Sequence, residues 1–159
     1  MDNHIIRKAQ IKDWPTLINI FDKSLRSSVE LSEEDWASLY KSLISFSYPT
    51  FDTYIFETDG KEVAYISYWC EKKFIKSLYV LPEYMNKGIG NKLIKYVIDT
   101  YREDMTIGVK PENKTALHLY QKHGFEIISK EDYDTSGIYY PHYILKRTAS
   151  FDKQGNVRI

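Results

Sequence analysis

Apolar residues recur along this chain with two different periods. Short runs with alternating or unbroken apolar positions predict strands over His4 to Ala9, Thr53 to Glu57, Glu62 to Cys70, Phe74 to Leu81, Met105 to Val109, Phe125 to Lys130 and Ile138 to Lys146. Between them, apolar residues three and four apart return to one side of a 3.6-residue turn and predict helices. Trp14, Leu17, Ile18 and Phe21 mark the first, from Ile11 onward; Trp36, Leu39, Tyr40 and Leu43 mark the second. The third, from about Gly88 to Arg102, buries Ile89, Leu93, Ile94, Val97, Ile98 and Tyr101, and the fourth, Asn113 to His123, carries Ala116, Leu117 and Tyr120 on one face.

Punctuation agrees with the periods. Asp13 and Pro15 suit a helix start, Ser32-x-x-Asp35 is a looser capping box, and Asp59-Gly60 is a dipeptide that tolerates the two positive φ angles of a tight hairpin. Pro82 stops a strand, and Gly124 fits the left-handed residue just past a helix, with Phe125 folding back onto it. The order strand, helix, helix, three strands, helix, strand, helix, two strands predicts an α/β or α+β sheet with helices on both faces.

With 159 residues the chain has the size of one domain, able to bury a substantial core. The 22 Lys plus Arg balance the 22 Asp plus Glu, so nothing provides the basic face that nucleic acids require. No segment approaches the roughly 20 apolar residues of a membrane span or resembles a signal peptide, so a cytoplasmic protein without membrane attachment is expected. The single Cys70 ends an apolar run and is expected to be a buried, inert thiol. The four histidines show no metal-ligand spacing, so no metal site is expected.

Two signals in one order carry the chemistry. Val80-x-Pro82 followed by Gly88-Ile89-Gly90 reads as a strand, a glycine-rich turn and a helix start, a place where unpaired N–H groups and a helix dipole suit phosphate. Asn113-x-x-Ala116-x-x-x-Tyr120-x-x-x-Gly124-Phe125 then puts a phenol on the inner face of a later helix. Asn113 also reads as an ordinary N-cap, and Tyr120 as a core tyrosine needing one partner for its hydroxyl.

In these residues the chain, from His4 to about Arg147, resembles the GNAT superfamily of N-acyltransferases. The resemblance implies a mixed, mostly antiparallel sheet of about six to seven strands, splayed in the middle. It also implies acetyl-CoA as co-substrate, a primary amine as acceptor, and direct transfer in a ternary complex. The family's phosphate turn is R/Q-x-x-G-x-G/A; Met85-Asn86-Lys87-Gly88-Ile89-Gly90 supplies both glycines but puts methionine at the usual Arg or Gln, with Lys87 beside it. Neither the Gly-Lys-Ser/Thr of a nucleotide loop nor the third glycine of a dinucleotide fold is present.

By the same resemblance, Met85, Asn86, Lys87, Gly88, Ile89, Gly90 and Asn91 hold the pyrophosphate. Leu78, Tyr79 and Val80 pair with the pantetheine arm, the Val80 N–H polarises the thioester carbonyl, Asn113 binds the arm, and Tyr120 protonates the departing thiolate. Several family members place a glutamate base on the strand before the turn; here its polar residues are Lys76, Ser77 and Tyr79. The base is therefore unassigned, with a water relay through Tyr79, Tyr139 or His142 open. Aromatic rings beside Glu30, Glu33 and Asp134 would suit a cationic amine. A non-catalytic CoA-binding sensor and a transferase of longer acyl chains are the alternatives. Thr148 to Ile159 lies beyond the resemblance as a tail, expected to dock on its own sheet edge or a neighbouring subunit, which leaves a homodimer open.

Overall fold

The computed structural model describes residues 3–27, 30–42, 50–134, 137, 139–151, 154 and 157–158. Leu43 and Ile138, expected on a helix and a strand, lie outside the described residues. Seven strands form one sheet: β1 (His4–Lys8), β2 (Asp52–Thr58), β3 (Lys61–Trp69), β4 (Phe74–Val80), β5 (Met105–Val109), β6 (Glu126–Tyr133) and β7 (Tyr139–Arg147). Their lateral order is β1-β2-β3-β4-β5-β7-β6. Every neighbouring pair is antiparallel except β4 and β5, which run parallel.

That one parallel contact is where the sheet opens. β4 and β5 share the rungs Phe74 with Thr106 and Ile75 with Ile107, after which β4 continues to Val80 along β3 and β5 continues to Val109 along β7. The cause lies in the β3–β4 register, which shifts between Ser67 and Tyr68: Tyr68 faces Ile75 and Ser67 faces Ser77, leaving Lys76 as an extra residue. A bulge bends its strand and increases the twist. Here it does so at the point where β4 leaves β5.

Helices cover both faces, as the element order predicts. The helices α1 (Trp14–Arg26) and α2 (Glu33–Ser42) lie on one side, with Phe21 edge-on to Tyr79 of β4 at 5.3 Å and to Trp36 of α2 at 6.4 Å. On the other side α3 (Ile89–Tyr101) presents Tyr96 and Tyr101 to Tyr54 and Tyr68 of the sheet, and α4 (Lys114–Lys122) follows β5. Leu17, Ile20, Ile55, Ile66, Leu93, Ile94 and Val97 are fully buried between these layers.

Local signals hold where the sequence placed them. Asp59 and Gly60 adopt φ of 51° and 76° and turn β2 into β3. Ser32 Oγ accepts the Asp35 N–H at 3.1 Å, one half of a capping box. At the start of α1, Arg7 donates two bonds to the Asp13 carboxylate, at 2.8 and 2.9 Å, and the Gln10 N–H adds a third at 2.7 Å. The Arg7 guanidinium holds this buried carboxyl below the usual range, so a charge that would be costly alone is paired and fully bonded.

Two expectations change. Cys70 is exposed: β3 ends at Trp69, the chain turns, and the thiol donates to Asp52 Oδ2 at 3.0 Å. The described part of the tail does not extend the main sheet. Ser150–Phe151 (β8) and Val157–Arg158 (β9) pair with each other as a separate hairpin, tied to the domain by the Ala149 N–H donating to Asp104 Oδ1 at 2.8 Å. Among the described residues no helix is long and apolar enough to cross a membrane.

Candidate active site

β4 leads through a short 3-10 turn, Pro82–Tyr84, into a tight reversal in which Asn86 and Gly88 adopt φ of 61° and 79°. α3 begins immediately afterwards, and the first N–H groups of a helix lack partners within it. The two glycines serve different ends. A Cβ on Gly88 would meet nothing within 4 Å, so the space above the turn is open, whereas a Cβ on Gly90 would lie 3.2 Å from Leu119 Cδ2 and 3.8 Å from Leu78 Cδ2. Gly88 provides the left-handed backbone, and Gly90 lets α3 approach α4 and β4 closely.

Side chains around the turn are placed by neighbouring elements. Met85 is exposed and carries no charge, while Lys87 Nζ lies 5.5 Å over the Tyr84 ring, beside the turn. Asn91, in the first turn of α3, is met by His123 from the end of α4, with Nε2 3.0 Å from Asn91 Oδ1. Ile89 is buried and serves packing. Asn113 is an N-cap: its Oδ1 accepts the Ala116 N–H at 3.1 Å, which leaves its amide nitrogen for another partner.

The gap between β4 and β5 gathers the remaining candidates. The Leu81 N–H donates to Val63 C=O at 2.8 Å, towards β3. Because backbone N–H groups alternate along a strand, those of Val80 and Leu78 project from the opposite edge, into the gap. Tyr120 of α4 is 6% exposed and packs edge-on against Phe125 at 6.0 Å. Burial, then its neighbour Tyr79, pushes its phenol well above the usual range. Burial, then Tyr140, likewise pushes Tyr79 up to about 12. Tyr79 in turn lies 5.6 Å from Tyr65 of β3, whose buried hydroxyl has no hydrogen-bond partner among the described residues.

Tyr65, Tyr79 and Tyr120 therefore form a cluster of protonated phenols drawn from two strands and a helix. Tyr65 carries no local signal for this place, and the β3–β4 register, Tyr65 opposite Tyr79, brings it here. Tyr139, a relay option from sequence, is 68% exposed and packs against Tyr133 at the far end of the β6–β7 hairpin. The acidic patch expected to attract an amine carries its own cation. Glu30 and Asp35 line an open groove of about 680 Å³ with Arg26, whose guanidinium stacks 4.1 Å over Trp36 and lies 3.6 Å from Glu33. No group of three or more His, Cys, Asp or Glu among the described residues is arranged to hold a metal ion.

Comparison with known proteins follows the same lines. The family model for the acetyltransferase (GNAT) domain matches residues 49–127, the span from the β2–β3 hairpin to the start of β6. The chain is 26% identical over 125 residues to the peptidyl-lysine N-acetyltransferase YiaC of Escherichia coli, covering 78% of this chain and 84% of that protein. It is 24% identical over 137 residues to the peptidyl-lysine N-acetyltransferase YjaB of Salmonella typhimurium, covering 86% and 92%. Among solved structures, the PaiA N-acetyltransferase of Thermoplasma acidophilum, in complex with coenzyme A, superposes with a TM-score of 0.74 at 22% identity over 92% of this chain and 99% of that one.

Proposed function

The chain belongs to the GNAT superfamily of N-acetyltransferases, and we propose that it transfers the acetyl group of acetyl-CoA directly to a primary amine in a ternary complex. The observation that carries this reading is the β4–β5 gap, where a strand edge ending at Val80 has no sheet partner among the described residues and Tyr79 of that strand acts electrostatically on the buried Tyr120. CoA pyrophosphate would sit over the open Gly88 turn, bound by N–H groups from Met85 to Asn91 at the α3 N-terminus. Lys87, beside the turn, supplies positive charge where the family's Arg or Gln is replaced by Met85. The pantetheine arm would lie along Leu78, Tyr79 and Val80 like an added strand, with the Asn113 amide nitrogen as a further donor.

The chemistry then follows from position. The amine nitrogen attacks the thioester carbonyl, and the Val80 N–H stabilises the oxyanion as it forms. The C–S bond breaks and the thiolate takes a proton from Tyr120. A phenol pushed upward by burial keeps its proton until the sulfur develops charge, and the same burial raises the basicity of the thiolate that receives it.

Thiol release from acetyl-CoA, followed with a panel of lysine-bearing peptides, free amino acids and polyamines, tests the reading. One class of amine is expected to give saturable, enzyme-dependent release with a matching N-acetyl product. Tight CoA binding without turnover for any amine would favour a CoA sensor of the same fold.

A further inference from the structure

A neutral amine nitrogen that bonds to the thioester carbon becomes positively charged and must pass one proton to a base, and β4 offers only Lys76, Ser77 and Tyr79. The acceptor side of the gap holds one further candidate, and the argument for it rests on the acetyltransferase reading above. His142 of β7 is buried, with Nδ1 2.5 Å from the Tyr140 carbonyl oxygen. A carbonyl only accepts, so Nδ1 carries the proton, and in the neutral ring Nε2 is left as a lone pair. Nε2 makes no hydrogen bond among the described residues and is not a sealed, orphaned atom.

The place of the ring is defined by an absence on β5. A Cβ on Gly108 would lie 3.1 Å from His142 Cδ2, 3.8 Å from Nε2 and 3.8 Å from Phe74 Cζ, so a side chain there would press on the imidazole, which packs directly over the glycine. Gly108 is the first β5 residue past the last rung shared with β4. His142 therefore lies at the root of the splay, next to Phe74 of β4. Its ring is 5.4 Å from that of Tyr140, two residues back on the same face, and Tyr140 acts electrostatically on Tyr79 across the gap. Tyr120 reaches Tyr79 from the helix on the other side.

We propose that His142 Nε2 is the general base that takes the proton of the acceptor amine, directly or through one water. The N–C bond forms as that proton moves to Nε2, the C–S bond breaks as Tyr120 protonates the sulfur, and imidazolium and phenolate then exchange one proton through solvent. The sum is amine plus acetyl-CoA giving amide plus CoA.

Groups facing the ring come from each adjoining element: Glu131 directly across on β6, Tyr140 on its own strand, and Tyr79 over the gap. Lys110 lies 4.6 Å over the Tyr140 ring, Glu112 acts on Tyr140, and Lys146, further along β7, is paired with Asp104 at 3.7 Å.

The experiment uses the full chain, acetyl-CoA and the fastest acceptor of the amine panel. Wild-type kcat/KM is expected to show an acid limb, because a general base must be unprotonated to act. His142→Gln, which retains bulk and a donor for the Tyr140 carbonyl but cannot titrate, should lower kcat/KM at neutral pH by roughly 100-fold and abolish the limb. CoA affinity by calorimetry should be unchanged. His142→Ala opens a hole over Gly108, and added imidazole should restore part of its rate in proportion to the free base. A His142→Gln enzyme with full activity or an intact acid limb, or an alanine variant indifferent to imidazole, overturns the proposal while leaving the acetyltransferase reading in place. Absence of wild-type turnover with every amine sinks both.

Discussion

His123 Nε2 lies 3.0 Å from Asn91 Oδ1, joining the residue that caps the end of α4 to the first turn of α3. Arg147 of β7 completes the junction by donating through Nε to the His123 carbonyl at 3.0 Å. The helix carrying the candidate acid is thereby fastened to the turn proposed to bind pyrophosphate. Replacing His123 by Ala is expected to weaken CoA binding by roughly three- to ten-fold, the scale of one lost hydrogen bond, in calorimetric titration. Unchanged affinity would mean that Asn91 is held without His123.

The two glycines of the turn should respond differently. Gly88→Val forces a branched residue to a φ of 79° and points it into open space, so CoA binding is expected to be lost at a stability cost of about 1–2 kcal/mol. Gly90→Val drives a Cβ against Leu119 and Leu78 and should lower the melting temperature by a larger amount. Melts and calorimetry on both variants check the ordering; equal melts with equal affinities would contradict it.

Tyr120→Phe retains the ring packed on Phe125 and removes only the proton donor. Turnover is expected to fall by roughly ten- to a thousand-fold with CoA affinity nearly constant. A purely structural tyrosine would instead lose about 1 kcal/mol of stability and keep its turnover in the folded fraction. Rates and melts on one preparation separate these outcomes.

Burial, the leading cause in each case, holds Tyr65, Tyr79 and Tyr120 above the ordinary phenol range. Their folded values exceed the unfolded value of about 10, so the stability they contribute is complete below pH 10 and declines as pH rises through the folded values. Alkaline titration should therefore show loss of ellipticity beginning near pH 10, with the late-appearing phenolate absorbance rising together with unfolding. Phenolate formation in a still-folded chain, with all tyrosines titrating near pH 10, would show that these hydroxyls are open to water.

The sequence by itself determined what depends on neighbours along the chain. The periods of Ile89 to Tyr101 and of Ala116 to Tyr120 specify helices and their inner faces, Asp59-Gly60 specifies a hairpin, and Gly88 and Gly124 mark left-handed residues. Each is legible because it follows from backbone sterics and spacing within a few residues. Tertiary structure alone decided which strands lie side by side. The parallel β4–β5 contact and the bulge at Lys76 open the gap, bring Tyr79 to Tyr65 and Tyr120, and seat His142 over Gly108, 34 residues earlier in the chain. It also exposed Cys70, which ends an apolar run, and placed Arg26 beside Glu30 and Glu33, two of the acidic residues expected to receive an amine. Such contacts depend on strand order, twist and packing across large sequence separations, and no local period encodes them.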